Sequence, residues 1–159
     1  MTIYLMQHAQ AVREEVDLQR PLSEEGRAAI GRVAARVAGL GLPIEQVYHS
    51  GKLRARQTAE VLAGALAHPP QVLVRHDLNP KDSPAPLTRW LRDEAQKTGV
   101  GGLVVVGHLP VLDKLASLLV TGDENVGVIA FQYAGLVALT PKEGGKLFAV
   151  KWILTPELA

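Results

Sequence analysis

Apolar residues along this chain fall into short β-prone runs separated by longer stretches with helical spacing, an alternation that predicts crossover connections and a largely parallel sheet. The first run, Thr2 to Gln7, carries Ile3, Tyr4, Leu5 and Met6, and the polar stretch Ala9 to Gln19 reads as a loop. Pro21-Leu22-Ser23-Glu24-Glu25-Gly26 then opens a helix, with Ser23 as its N-cap and acids in its first turn. Ala29, Ile30, Val33, Ala34, Val37 and Leu40 recur behind it at helical spacing, and Gly39 and Gly41 stop it. A second strand, Gln46 to His49, leads through Ser50, a candidate N-cap, into a helix over Lys52 to Leu66. Gln71 to Val74 reads as a third strand, Asn79 to Pro86 with its three prolines as a loop, and Leu87 to Lys97 as an amphipathic helix. Leu103 to Val106 is uninterruptedly apolar, as expected of a strand covered on both faces, and Gly107-His108-Leu109-Pro110 turns it into a helix over Val111 to Val120. The tail differs: Val128 to Phe131, Gly135 to Leu139 and Leu147 to Ile153 are strand-like, with Lys142 to Gly145 as a turn between the last two. No linker, repeat or low-complexity segment interrupts the chain, so the expectation is one α/β domain over residues 1–159 with a mostly parallel central sheet.

Composition narrows the chemistry. With 159 residues, 47% of them hydrophobic, the chain is long enough to bury a sizeable core. Lys+Arg 17 against Asp+Glu 16 gives a net charge of +1, which argues against a nucleic-acid groove or a polybasic membrane contact, so any anion site is local. The absence of Cys excludes disulfides, thiolate metal ligands and thiol catalysis, and fits a reducing, cytoplasmic setting. Met1 to Gln10 has no basic n-region and is not read as a secretory signal, and no run approaches the roughly 18 apolar residues of a membrane span.

In an open α/β sheet the ligand crevice lies beyond the carboxyl ends of the parallel strands. The first predicted strand delivers Gln7 and His8 there, the second His49 and Ser50 with Arg54 one helical turn on, and the fourth Gly107 and His108. If these strands are neighbours, two imidazoles and a guanidinium meet two helix N-termini, whose free N–H groups favour an anion such as phosphate. With no Cys and no Ser-centred elbow, one imidazole is the candidate nucleophile toward phosphorus and the other a positively charged hydrogen-bond donor. The planar fork of Arg54 suits two phosphate oxygens during in-line transfer. Each histidine taken singly reads as structural. A metal site of His8, His108 and Asp77 lacks any helical i, i+4 ligand pair, and no metal is expected. His49, His68 and His76 read as surface or loop histidines, Lys52 and Arg56 as solvated helix charges, and Trp90 and Trp152 as core or interface anchors. Gly99, Gly101 and Gly102 precede a strand instead of following one, so they read as turn residues and not as a phosphate loop.

Four segments in order carry a family resemblance: Ile3-Tyr4-Leu5-Met6-Gln7-His8-Ala9, Arg20-Pro21-Leu22-Ser23, Ser50-Gly51-Lys52-Leu53-Arg54-Ala55-Arg56-Gln57-Thr58, and Gly107-His108-Leu109-Pro110. Together they resemble the histidine phosphatase (phosphoglycerate mutase-like) superfamily, and most closely its small SixA-like phosphohistidine phosphatase branch. The resemblance implies a three-layer α/β/α sandwich and a cofactor-free phosphatase in which His8 becomes phosphorylated while Arg54 and His108 hold the phosphoryl group. Its substrate would be phosphohistidine on a protein or a small phosphate ester, and its product inorganic phosphate. One departure stands out: the family's first pocket arginine precedes the nucleophile, and Gln7 occupies that position. This leaves open a weakly active phosphate- or phosphoprotein-binding module. Arg20 is the residue expected to supply some of the missing charge. The glycine that commonly follows the nucleophile is Ala9. Larger members use a carboxylate as general acid, for which Asp77 is the first candidate and Asp82 the second; a phosphorylated imidazole leaves readily with a weak acid or none.

Overall fold

Ile3–Gln7 (β1) and Gly102–Gly107 (β4) are buried at every position, as suits the apolar runs Ile3 to Met6 and Leu103 to Val106 in the middle of a covered sheet. The computed structural model describes residues 1–159 and places these two strands side by side. Ile44–His49 (β2) pairs with the other edge of β4, Gln71–Val74 (β3) with β2, and all three pairings are parallel. Leu136–Pro141 (β5) runs antiparallel to β1, and Phe148–Leu154 (β6) antiparallel to β5. The sheet order is β3-β2-β4-β1-β5-β6.

Helices Glu24–Gly39 (α1) and Leu53–Ala65 (α2) cover one face, where Tyr4, Met6, Val104 and Val106 meet Ile30, Val33, Val37 and Leu62. Helices Ala85–Ala95 (α3) and Val111–Thr121 (α4) cover the other, where Ile3, Leu5, Leu103 and Val105 meet Leu87, Leu91, Leu112 and Leu115. Successive residues of β1 and β4 thus alternate between two cores, as the period of two in a strand requires. The result is the three-layer α/β/α sandwich with a mostly parallel sheet that the sequence led us to expect.

Local signals act as read at several points. The Ser23 hydroxyl accepts the Gly26 N–H at 3.0 Å and caps α1. Trp152 lies against Tyr4 at 5.8 Å between ring centroids, and Trp90 meets Tyr48 edge-on at 4.8 Å beneath the Arg75 guanidinium.

Other expectations are corrected. Val128 to Phe131 forms no strand; Val128, Ile129 and Phe131 bury their apolar area by packing as irregular chain against the α3–α4 core. The loop before α3 ends two residues early, because Pro86 sits in the first helical turn, where its missing N–H needs no partner. Ser50 does not cap α2: Lys52 occupies that position, with no side-chain cap bond.

Candidate active site

The order β2-β4-β1 makes neighbours of the three strands whose ends carry the candidate residues. Gln7 is level with Gly107, and His49 with Val106, so His8 and His108 emerge side by side beyond the sheet with Ser50 one residue short of them. Backbone bonds fix them there: the His8 N–H donates to the Gly107 carbonyl at 3.0 Å, and the Ala134 N–H to the Gln7 carbonyl at 3.0 Å.

The imidazoles of His8 and His108 lie 5.0 Å apart between centroids, and both residues are buried. His8 Nδ1 is 2.7 Å from the Ala9 carbonyl oxygen, an acceptor only, so Nδ1 carries the proton and Nε2 keeps its lone pair. The backbone of Ala9 is itself held, because its N–H donates at 3.0 Å to the hydroxyl of Thr58, which in turn donates to the Arg54 carbonyl at 2.7 Å. Gln57 Oε1 accepts the Leu22 N–H at 2.8 Å. The start of α2 thus braces the loop after β1 from two side chains.

Across from His8, His108 Nε2 is 2.6 Å from the Ser50 hydroxyl. His108 Nδ1 is buried with no hydrogen-bond partner in the protein, and so is Arg54 Nε. Burial pushes the pKa of His8 down to about 4 and that of His108 to about 3, which corrects the expectation that the second imidazole is positively charged. For His108 charge adds to burial, first from His8 and then from Arg54, Lys52 and Arg20; for His8 the bond to the Ala9 carbonyl opposes burial while Arg54 and Arg20 reinforce it. Every charged residue acting on the two rings is basic. The Arg54 pKa is lowered by burial and by Arg20. A chain of net charge +1 therefore concentrates three cations around two neutral imidazoles, an arrangement matched to an anion.

Arg20 is held with a positive φ of 50° while its Nε donates to the Val12 carbonyl at 3.1 Å. Gln7 is buried, and its Oε1 has no partner. Asp77 stands differently: Arg75 grips both its oxygens at 2.8 and 2.6 Å, which holds its carboxyl below the usual range. Asp82 accepts the Asn79 N–H at 2.7 Å. His8, His108 and Asp77 do not assemble as ligands of one ion.

Two contacts and one further residue lie beyond local pattern. Ser50 is expected at the end of β2, but the bond of its hydroxyl to His108 has no local signal, and neither has the bond of Thr58 to the Ala9 N–H. Tyr133, 5.5 Å from the His8 ring and 48% exposed, follows Gln132 in irregular chain with no local signature, held by the positive φ of Ala134 and the bond of that residue to β1. His49 is a correction: it is buried, and its Nδ1 accepts the Gly51 N–H at 3.0 Å. His68 and His76 are exposed, as expected.

Comparison with known proteins points the same way. The family model described as histidine phosphatase superfamily (branch 1) matches residues 3–79. An uncharacterized protein of Picosynechococcus is 34% identical over 167 residues, covering 97% of this chain and 99% of that protein. The phosphohistidine phosphatase SixA of Escherichia coli is 27% identical over 157 residues, covering 98% and 94%. The solved structure of the protein histidine phosphatase SixA complexed with tungstate superposes with a TM-score of 0.85 at 26% identity, covering 98% of this chain and 97% of that one.

Proposed function

Since the chain belongs to the histidine phosphatase superfamily, in its SixA-like branch, and is a phosphatase, we propose that its substrate is phosphohistidine on a protein and that His8 carries the phosphoryl group as a covalent intermediate. His8 Nε2 attacks phosphorus, the P–N bond to the substrate imidazole breaks, and the departing imidazole takes a proton from solvent. Water then attacks the phosphorus of phospho-His8, releasing inorganic phosphate and regenerating the free ring. Arg54 and His108 hold the equatorial oxygens, where charge accumulates in the transition state, with Arg20 and the Gln7 amide beside them.

The observation that carries this reading is the sign of the charge around the two rings: the side-chain charges acting on them are cationic, and the first carboxylate candidate, Asp77, is engaged by Arg75. An alkyl phosphate needs an acid for its leaving alkoxide. A phosphoimidazole leaves without one, so this site suits the P–N substrate better than a small ester. No step calls for a metal.

The buried neutral Gln7 favours a second reading, a phosphoprotein-binding module with little turnover. The two are separated by dephosphorylation of a histidine-phosphorylated carrier protein in EDTA, with His8→Ala run beside the native chain. Turnover that vanishes in His8→Ala is the expected result. Absence of turnover together with saturable orthovanadate binding that needs Arg54 and His108 would transfer the assignment to the binding module.

A further inference from the structure

The turn that follows β2 is built more tightly than a helix entry requires. His49 and Ser50 are both buried, Gly51 adopts a φ of +90° that few other residues tolerate, and the Gly51 N–H donates to His49 Nδ1. Burial lowers the His49 pKa, which keeps Nδ1 an acceptor. The product of this clamp is the position of one hydroxyl, Ser50 Oγ, 2.6 Å from His108 Nε2 and accepting the Lys52 N–H at 3.3 Å.

We infer that Ser50 is a positioning residue for His108: its hydroxyl donates to Nε2, fixes the neutral ring as the Nδ1–H tautomer, and so makes Nδ1 a donor to a phosphoryl oxygen. The assignment rests on proton bookkeeping. A serine hydroxyl has one proton to give, and His108 Nε2 is the acceptor it meets. Were Nε2–H the donor instead, the proton of the buried Ser50 hydroxyl would be left without an acceptor. With Ser50 donating, both roles of its hydroxyl are used. The remaining group is then an N–H, matching the unpartnered Arg54 Nε–H in the same site. A neutral imidazole thereby serves as a phosphate donor without being protonated. In an already cationic cluster, protonation would be opposed by burial and by the neighbouring charges.

This inference depends on the phosphatase reading for the identity of the anion, but its structural half is tested without turnover. Long-range 1H–15N spectra of the uniformly labelled protein at pH 7, with His108→Asn to assign the ring, report which nitrogen bears the proton. The expected result is Nδ1–H in the native chain and in Ser50→Thr, and a shift toward Nε2–H in Ser50→Ala. The same Ser50→Ala change is expected to weaken orthovanadate binding about tenfold, with Ser50→Thr restoring it. Nε2–H in the native protein would overturn the inference, as would a Ser50→Ala variant with unaltered tautomer and unaltered vanadate affinity. If Ser50→Ala does not fold, the native and Ser50→Thr spectra still decide. A correct tautomer and tight vanadate binding without any phosphohistidine turnover would sink the phosphatase reading and leave the role of Ser50 standing.

Discussion

Replacing Gln7 with arginine tests the electrostatic account most directly. Gln7 ends β1 beside Gly107, its carbonyl is tied to the Ala134 N–H, and its side chain is 8% exposed, so position 7 is held firmly at the mouth of the site. A neutral hydrogen bond contributes about 0.5–1.5 kcal/mol and one to a charged group about 1.5–3, a difference of roughly 1–1.5 kcal/mol. Gln7→Arg is therefore expected to tighten orthovanadate binding, and to raise kcat/KM on phosphohistidine, by about five- to tenfold. The same change adds a fourth cation to Arg54, Arg20 and Lys52, with no carboxylate to offset it. The ligand-free protein should lose about 1–2 kcal/mol of stability. That corresponds to a fall in Tm of roughly 3–6 °C for a chain of this size. Saturating vanadate should recover that loss, because a ligand binding only the folded state stabilises it by mass action. Calorimetric titration and thermal denaturation with and without vanadate measure both arms. A folded Gln7→Arg protein whose vanadate Kd is unchanged or weaker would refute the reasoning, showing that position 7 does not face the bound anion.

Further predictions follow from the same geometry. Asp77→Asn should leave phosphohistidine turnover within about twofold of the native rate, while the loss of its part-buried pair with Arg75 costs at most about 1 kcal/mol in urea denaturation; a hundredfold fall in kcat would reinstate Asp77 as a general acid. Because burial lowers the pKa of His8 from 6.5 to about 4 and of His108 to about 3, the unfolded chain binds protons below pH 6.5 that the native rings refuse. Stability is thus complete above pH 6.5 and falls as the pH drops toward 4, by up to about 1.4 kcal/mol per pH unit for each ring. Denaturation midpoints of the native chain and His108→Asn at pH 7 and 4.5 should show a shallower dependence in the variant.

Much of this molecule is legible in the sequence because its signals are local. Period-two and helical spacings set the strands and helices to within a few residues, Ser23 announces the start of α1, and the ordered segments around His8, Arg54 and His108 single out the residues that meet. Where the reading failed, local pattern had no purchase. Val128 to Phe131 has strand-like composition, but no partner strand is available to it and its apolar side chains find a core without one. His49 looks like a loop residue until the β2–β4 pairing buries it. Asp77 looks like an available acid until Arg75, two residues away, closes on both its oxygens.

Residue type and spacing by themselves determined the α/β alternation and brought His8, Arg54 and His108 forward as candidates, while the family followed from the resemblance of four ordered segments. The proton inventory of the site was decided only by tertiary structure. His8 takes its tautomer from the carbonyl of its neighbour Ala9, whose backbone Thr58 holds from 49 residues away, and the Ser50 hydroxyl reaches His108 across the β2-β4 pairing from 58 residues away. Burial sets the charge state and hydrogen bonds the tautomer, and both exist only once the strands have paired.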